Sequence, residues 1–114
     1  MTKKLAAATA AKYKKEPVAL GCILRFPRAM LAIAKVSRFG WQKHEIKLPE
    51  GNWDYLDVPG AQNVYAEAEG RHMVKEALEG SINEEDGGML HKAQKAWNAL
   101  ADLEVFLRQA ERDK

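Results

Sequence analysis

The sequence contains a single cysteine and no long apolar run, and each of these absences excludes a class of protein. Cys22 cannot form a disulfide within the chain, which fits a reducing compartment. No apolar run approaches the roughly 20 residues of a membrane span. Lysines close the alanine run near the N-terminus too early for a secretory signal. We therefore expect a cytoplasmic protein without a membrane partner.

The sequence also lacks the signature of a glycine-rich phosphate-binding loop and that of catalysis by a covalent nucleophile. It has no glycine-rich phosphate loop of the Walker or Rossmann kind. Ser37 and Ser81 have no convincing base partner, and Cys22 lies in an apolar run, where thiols are usually inert. Catalysis by a covalent nucleophile is therefore not expected.

The charge is unevenly divided along the 114 residues, which form one predicted domain over 1–114. Residues 1–47 carry eleven Lys/Arg and two acids, a balance of +9, and residues 48–114 carry seven Lys/Arg and fourteen acids, a balance of −7. A basic half attracts polyanions such as nucleotide phosphates, and an acidic half can hold cations. Alternatively the two halves are simply solvated, or they attract each other within the fold or across a homo-oligomer.

Helical spacing predicts an all-α fold, a small bundle of three main helices with an N-terminal helix and a long functional loop. The predicted main helices cover 27–39, 61–79 and 89–112. The alanine-rich segment 3–15 is predicted to form the N-terminal helix, which is shorter, and 1–16 to form an N-terminal arm. Gly40 and Gly80 are read as helix stops. Residues 18–25 fit either an extended segment or a helical turn. No strand pattern of useful length is present.

Two groups of positions on the last helix follow from the same spacing. Its apolar stripe is predicted to comprise Met89, Ala93, Ala96, Trp97, Leu100, Leu103 and Leu107. His91, Gln94 and Asn98 recur beside that stripe.

In the long connection 40–60, Trp41 and Trp53 either anchor the loop on the core or stack on a nucleobase.

Carboxylates and imidazoles are concentrated in residues 71–98. Glu69, His72 and Glu76 share one helix face. If the second and third helices are antiparallel neighbours, this face meets His91 and Asn98, as in metal sites of helix bundles. Oxygen ligands suit Mg²⁺ or Mn²⁺, while histidine favours Mn²⁺, iron or zinc. The ordinary alternative is that these side chains face solvent.

The acidic loop and the basic residues each have two interpretations. Asp86 is either a helix cap or, with Glu84, part of an ion site, and the amides at Gly87-Gly88 offer a phosphate contact. Lys43 and His44 either bind phosphates, together with Arg25, Arg28 and Arg38, or belong to a solvated basic face. Arg71 is either a phosphate clamp or an ion-pair partner.

Taken in their order along the chain, these residues resemble the signature motifs of a known family. Arg38-Phe39-Gly40, Lys43-His44 and then Asn52-Trp53 are similar to the "FGxxKY…NW" signature of phage dATP/dGTP diphosphohydrolases (N-terminal domain family). Arg71-His72, the run from Glu84 to His91, and Asn98 resemble that family's "RH…DxE(S/T)GxxH…N" signature. Three positions depart from it: His44 replaces tyrosine, the loop acids are Glu then Asp, and Gln94 stands where a second histidine is frequent.

The resemblance implies a phage-encoded enzyme of the nucleotide pool, acting in the host cytoplasm and similar in role to the all-α MazG-like pyrophosphohydrolases. We expect Mg²⁺ or Mn²⁺ held by Glu76, Glu84, Asp86 and His91, with His72, Glu76 and His91 in catalysis. Nucleotide contacts are expected from Arg38, Lys43, His44, Asn52, Trp53, Arg71 and Asn98, with Trp41 beside the base.

One other function remains open on the sequence. The same scaffold would bind a nucleotide without cutting it, sequestering a host nucleotide or nucleotide signal, and the Gln94 departure favours this. A nucleic-acid-binding role for the basic half is not expected, because no helix-turn-helix or RNA-binding signature accompanies it.

Overall fold

Three α-helices form the fold in the computed structural model, which describes residues 15–44, 56 and 60–113. They are α1 (Pro27–Lys43), α2 (Ala61–Glu79) and α3 (His91–Arg112). A π-helical turn, Ala19–Ile23, precedes α1, so this segment is helical rather than extended. The prediction of a mostly helical small domain is confirmed. The predicted N-terminal helix lies outside the described residues except for Lys15.

None of the described helices is both long enough and apolar enough to cross a membrane.

Helix α1 continues four residues beyond its predicted end. Gly40 does not stop the helix, which runs through Trp41 to Lys43. The helix closes instead at His44, whose backbone N–H donates to the Gly40 carbonyl at 2.9 Å. Glycine permits a left-handed stop but does not impose one, because it also adopts helical angles. The extra turn places Lys43 and the half-buried Trp41 on the helix rather than in a loop.

Helix α2 has the predicted bounds, and Gly80 ends it as expected. Gly80 adopts a φ of 91°, a left-handed conformation that favours glycine, and its N–H donates to the Glu76 carbonyl at 3.0 Å. Gly70 lies within the helix, as predicted.

A short hairpin that the sequence did not reveal separates α2 from α3. Strand β1 (Ile82–Asn83) pairs antiparallel with β2 (Met89–Leu90), and a 3₁₀ turn, Glu84–Asp86, lies between them. Gly87 and Gly88, with φ of 63° and 81°, permit the reversal. Two-residue strands are too short to show an alternating pattern. Met89 and Leu90 therefore belong to β2, and α3 begins at His91.

Helices α2 and α3 pack antiparallel, which is the condition for the predicted meeting of their polar faces. Tyr65, early in α2, stacks edge-to-face on Trp97 with ring centroids 5.7 Å apart, whereas His72, later in α2, contacts His91 at the start of α3. Residues later in α2 therefore contact residues earlier in α3, which defines an antiparallel pair. The apolar core lies at the far end, where Ala61 and Tyr65 pack on Ala101 and Val105, with Leu56 and Trp97 against them.

The buried face of α3 differs from the predicted apolar stripe. Its buried residues are His91, Ala93, Gln94, Asn98, Ala101 and Val105, and all except Ala93, a member of the predicted stripe, recur every three or four positions. In contrast, Leu100, Leu103 and Leu107 are 50%, 54% and 37% exposed. The prediction placed the core on the apolar face, but the polar face next to it is buried because its side chains have hydrogen-bond partners. The His91 imidazole contacts His72 and Glu79 of α2. The Gln94 amide bonds to Asn83 and Asp86 of the hairpin.

Candidate functional site

A cavity of about 580 Å³ opens between α1, α2 and the start of α3. This volume is in the range of small-molecule sites. Apolar and aromatic side chains line one part of the cavity, namely Val36, Phe39, Val64, Tyr65, Ala68 and Trp97. Polar and charged side chains line the rest, namely Lys43, His44, Arg71, His72, Asp86, Gln94 and Asn98. A ligand with a planar apolar part and an anionic part would match this division.

Asp86 is the centre of the polar part, and we call Asp86, Lys43, Asn83 and Gln94 the Asp86 cluster. Lys43 Nζ approaches Asp86 Oδ1 at 3.2 Å from the last turn of α1. Gln94 Nε2 donates to Asp86 Oδ2 at 2.8 Å, and Asn83 Nδ2 donates to the same oxygen at 3.2 Å and to Gln94 Oε1 at 2.9 Å. The carboxylate only accepts, so it fixes how both amides are oriented.

Asp86 is consequently not the cap of α3. The N-cap position is Leu90, and no side chain bonds there. Of the amides predicted as phosphate contacts, Gly88 N–H donates to the Asn83 carbonyl at 2.9 Å, and at the start of α3 His91 N–H donates to the Ser81 carbonyl at 2.9 Å. The hairpin therefore presents the Asp86 side chain, rather than these two backbone amides, to the cavity.

His72 and His91 form a pair behind the cavity wall. Their Nδ1 atoms lie 3.1 Å apart, and His91 Nε2 lies 2.7 Å from Glu79 Oε1. His91 is completely buried, whereas His72 lines the cavity. Because His72 Nδ1 faces His91, its Nε2 is the ring nitrogen left for a ligand.

The environment keeps Asp86 ionised and His72 neutral at neutral pH. Burial alone would raise the pKa of Asp86, but hydrogen bonds from Gln94 and Lys43 and the charge of Lys43 bring it below its ordinary value. Burial lowers the pKa of His72, and His91, Lys75 and Arg71 lower it further against the opposing charge of Asp86. The cavity thus combines a stable anion with an uncharged imidazole.

The four predicted metal ligands do not converge on one point. Glu76 pairs with Lys92 Nζ at 2.8 Å and with Lys95 Nζ at 3.9 Å, and hydrogen bonding from Lys92 lowers its pKa. Glu84 is exposed, and both ring nitrogens of His91 already have partners. Within residues 15–44, 56 and 60–113, no group of three or more His, Cys, Asp or Glu side chains could hold a metal ion.

The donors that remain fit a different kind of metal binding. Mg²⁺ commonly uses one or two carboxylates together with substrate phosphates and water. Asp86 is the one carboxylate that lines the cavity in the described part of the chain. Asn83 Oδ1, in the same cluster, is the one buried side-chain oxygen without a hydrogen-bond partner there. These hard oxygens suit Mg²⁺ or Mn²⁺ that arrives with a nucleotide.

The predicted nucleotide contacts divide into three groups. Lys43, His44, Arg71 and Asn98 line the cavity. Arg38 is exposed on α1 and does not line it, and neither does Trp41. Asn52 and Trp53 lie outside the described residues, so their predicted roles stay predictions.

Three residues of the site were not singled out for it by sequence reasoning. Asn83 and Glu79 carry no motif signal and acquire their contacts only through tertiary structure. Gln94 shares a helix face with His91 and Asn98, and this spacing was a usable signal. It had been interpreted as a departure from the family pattern, whereas here it supports Asp86.

The sequence profile of one protein family, described as "dATP/dGTP diphosphohydrolase, N-terminal", matches residues 7–114, almost the whole chain. No curated protein and no solved structure matches.

Proposed function

Because the chain belongs to the dATP/dGTP diphosphohydrolase N-terminal domain family, we propose that its cavity binds a purine deoxynucleoside triphosphate and hydrolyses it to the monophosphate and pyrophosphate. The observation that carries the proposal is the composition of the cavity. It joins two cations, Lys43 and Arg71, an ionised Asp86 and a neutral His72 to an aromatic surface. We further propose that the reaction takes place in the cytoplasm of the host of a phage.

Binding would divide the substrate between the two parts of the cavity. The base would lie against Phe39, Tyr65 and Trp97, because every base has a face that stacks on aromatic rings. The triphosphate would reach Lys43 and Arg71, whose charges match phosphate oxygens. Lys43 must then leave Asp86, at modest cost because its side chain is 54% exposed in the pair.

In the chemical step a water oxygen would bond to the α-phosphorus while the bond from that phosphorus to the bridging oxygen of pyrophosphate breaks. The attacking water would pass its proton to His72 Nε2. Arg71 and Lys43 would neutralise the charge that develops on the phosphate oxygens. Asp86 would hold Mg²⁺ or Mn²⁺ brought by the nucleotide, and a bound ion supplies charge neutralisation and acidifies water. Glu76 and His91 do not line the cavity, so they take no direct part here.

The assay that tests the function uses the purified chain with each of the four dNTPs, in Mg²⁺ or Mn²⁺, and identifies products by chromatography. We expect monophosphate and pyrophosphate in equal amounts, faster from dATP and dGTP than from dCTP and dTTP. Release of inorganic phosphate, or no product with either ion, would contradict the proposal.

A second candidate is binding without hydrolysis, which would sequester a host nucleotide or nucleotide signal. It is favoured by Gln94, which stands where the family frequently has a histidine and is fully engaged with Asp86 and Asn83. Calorimetry with recovery of the intact nucleotide would select it over the enzyme.

We also propose that the chain forms a homo-oligomer through the exposed side of α3. Leu100, Leu103 and Leu107 recur with the spacing of a helix–helix seam, and Phe106 beside them is 64% exposed. A second copy is the occupant that the charge division favours, since the halves of the chain carry +9 and −7.

Sedimentation velocity tests this interface. We expect the wild-type chain to sediment as a dimer or larger, and Leu103→Lys to shift it toward monomer, because a buried unpaired charge is costly. Gln109→Lys, an exposed position on another side of α3, adds the same charge as a control. A wild-type chain that sediments as a monomer would refute the interface.

A further inference from the structure

Glu79, His91 and His72 form a continuous hydrogen-bonded chain from solvent to the cavity. Glu79 is half-exposed at the end of α2, with 46% of its side chain accessible, and its Oε1 lies 2.7 Å from His91 Nε2. His91 is completely buried and reaches His72 through the 3.1 Å contact between the two Nδ1 atoms. The described residues therefore connect a surface carboxylate to a cavity imidazole through one buried ring.

For a neutral His91, the chemistry of these groups fixes where each proton lies. A carboxylate only accepts hydrogen bonds, so His91 Nε2 must carry a hydrogen and donate it to Glu79. A neutral His91 then has a lone pair at Nδ1, and His72 Nδ1 must be the donor between the rings. A neutral His72 that is protonated at Nδ1 has its lone pair at Nε2, the nitrogen left for the cavity.

The geometry assigns to Glu79 the role of a positioning residue: acting through His91, it holds His72 in the tautomer whose Nε2 can accept a proton in the cavity. The catalytic role of Glu79 rests on the proposed function, in which His72 accepts the proton of the attacking water. The tautomers themselves follow from the two contacts and a neutral His91. Glu79 does not line the cavity, so it contacts neither the attacking water nor the substrate.

The competing arrangement is a doubly protonated His91. Its Nδ1–H would then donate to His72 Nδ1, and His72 would carry its hydrogen at Nε2 and present a donor instead of a base. The two arrangements place the hydrogen on opposite nitrogens of His72, so one measurement distinguishes them.

Nitrogen-15 NMR of histidine-labelled protein reads these tautomers directly, and the chain has only three histidines. In the wild-type chain near neutral pH we expect His72 protonated at Nδ1 and His91 at Nε2. In Glu79→Leu, which removes the acceptor, the Nδ1-protonated fraction of His72 should fall. Glu67→Leu, an exposed glutamate on the same helix, should leave both tautomers unchanged. A wild-type His72 protonated at Nε2, or one unaffected by Glu79→Leu, would overturn the assignment.

Kinetics supply a second readout. Loss of a residue that orients a catalytic group typically costs 10–100-fold, so we expect Glu79→Leu to lower kcat by about that factor with KM little changed. Glu79→Gln retains an oxygen acceptor and should recover most of the loss, whereas equal loss in both variants would contradict the role. If the tautomers are as expected but no dNTP is hydrolysed, the proposed function fails and the assignment stands. If a dNTP is hydrolysed but the tautomers are the opposite ones, the assignment fails and the proposed function stands.

Discussion

Asp86→Asn is expected to lower kcat/KM for dATP by about 10²–10³-fold, the usual effect of removing one charge-stabilising group from an active site. The carboxylate accepts hydrogen bonds from Lys43, Asn83 and Gln94 and is the site proposed for the metal–nucleotide complex. Asparagine keeps the shape but removes the charge. Its side-chain NH₂ group cannot accept a hydrogen bond, so only its one oxygen can accept from the three donors. Steady-state kinetics with dATP over a range of Mg²⁺ concentrations measures the loss.

The loss of activity should be separable from loss of folding. Glu85→Gln removes a neighbouring charge that is 82% exposed and paired only with Lys75 at 3.2 Å among the described contacts, so it should retain wild-type kinetics. Thermal melting should show Asp86→Asn folded but destabilised by about 1–3 kcal/mol, the cost of unsatisfied buried partners. Full activity in Asp86→Asn would remove this residue from the mechanism.

Asp86 should also make folding stability depend on pH. Its pKa in the folded chain lies below the ordinary value of 3.8, so the unfolded chain binds the proton more readily. The stabilisation is therefore present above the unfolded value and lost as the pH falls through the folded one.

His72→Ala is expected to lower kcat by about 10²–10⁴-fold, the range for loss of a general base. The residue lines the cavity, and its remaining ring nitrogen is the proposed proton acceptor. Added imidazole should restore part of the activity, because the small cavity left by the truncation admits the free base. Absence of rescue, together with a wild-type rate in the variant, would show that another group takes the proton.

The pH profile gives an independent test of this role. His72 acts as a base only when neutral, and its pKa lies below the ordinary 6.5 because of burial and the neighbouring His91, Lys75 and Arg71, against Asp86. Log kcat/KM should therefore rise with pH as His72 loses its proton, with the midpoint of the rise below 6.5, and become flat at higher pH. In His72→Ala this acid limb should disappear. A limb centred above 6.5 would contradict the lowered pKa.

The helices could be predicted from the sequence because their signals are local. Apolar spacing and the stop at Gly80 gave α2 its bounds, and the shared helical face of His91, Gln94 and Asn98 was visible in the spacing. Gly40 gave the wrong end for α1, since glycine is compatible with both a helix and its stop. The difference matters for function, because the extra turn carries Lys43 to Asp86.

Which face of α3 is buried could not be read from periodicity. Leu100 and Leu103 look like core residues, yet Gln94 and Asn98 are buried instead. The Gln94 amide is buried with partners from another segment, Asn83 and Asp86 on the hairpin, and a local pattern does not contain these. For the same reason the sequence placed Glu76 at a metal, whereas lysines of α3 neutralise it.

A crystal structure with a nonhydrolysable dATP analogue and Mn²⁺ would show whether the triphosphate binds between Lys43 and Asp86. We expect phosphate oxygens at Lys43 and Arg71 and the base against Phe39, with Asp86 as the residue that would hold Mn²⁺. A nucleotide bound elsewhere on the chain, with the Lys43–Asp86 pair intact, would contradict this expectation.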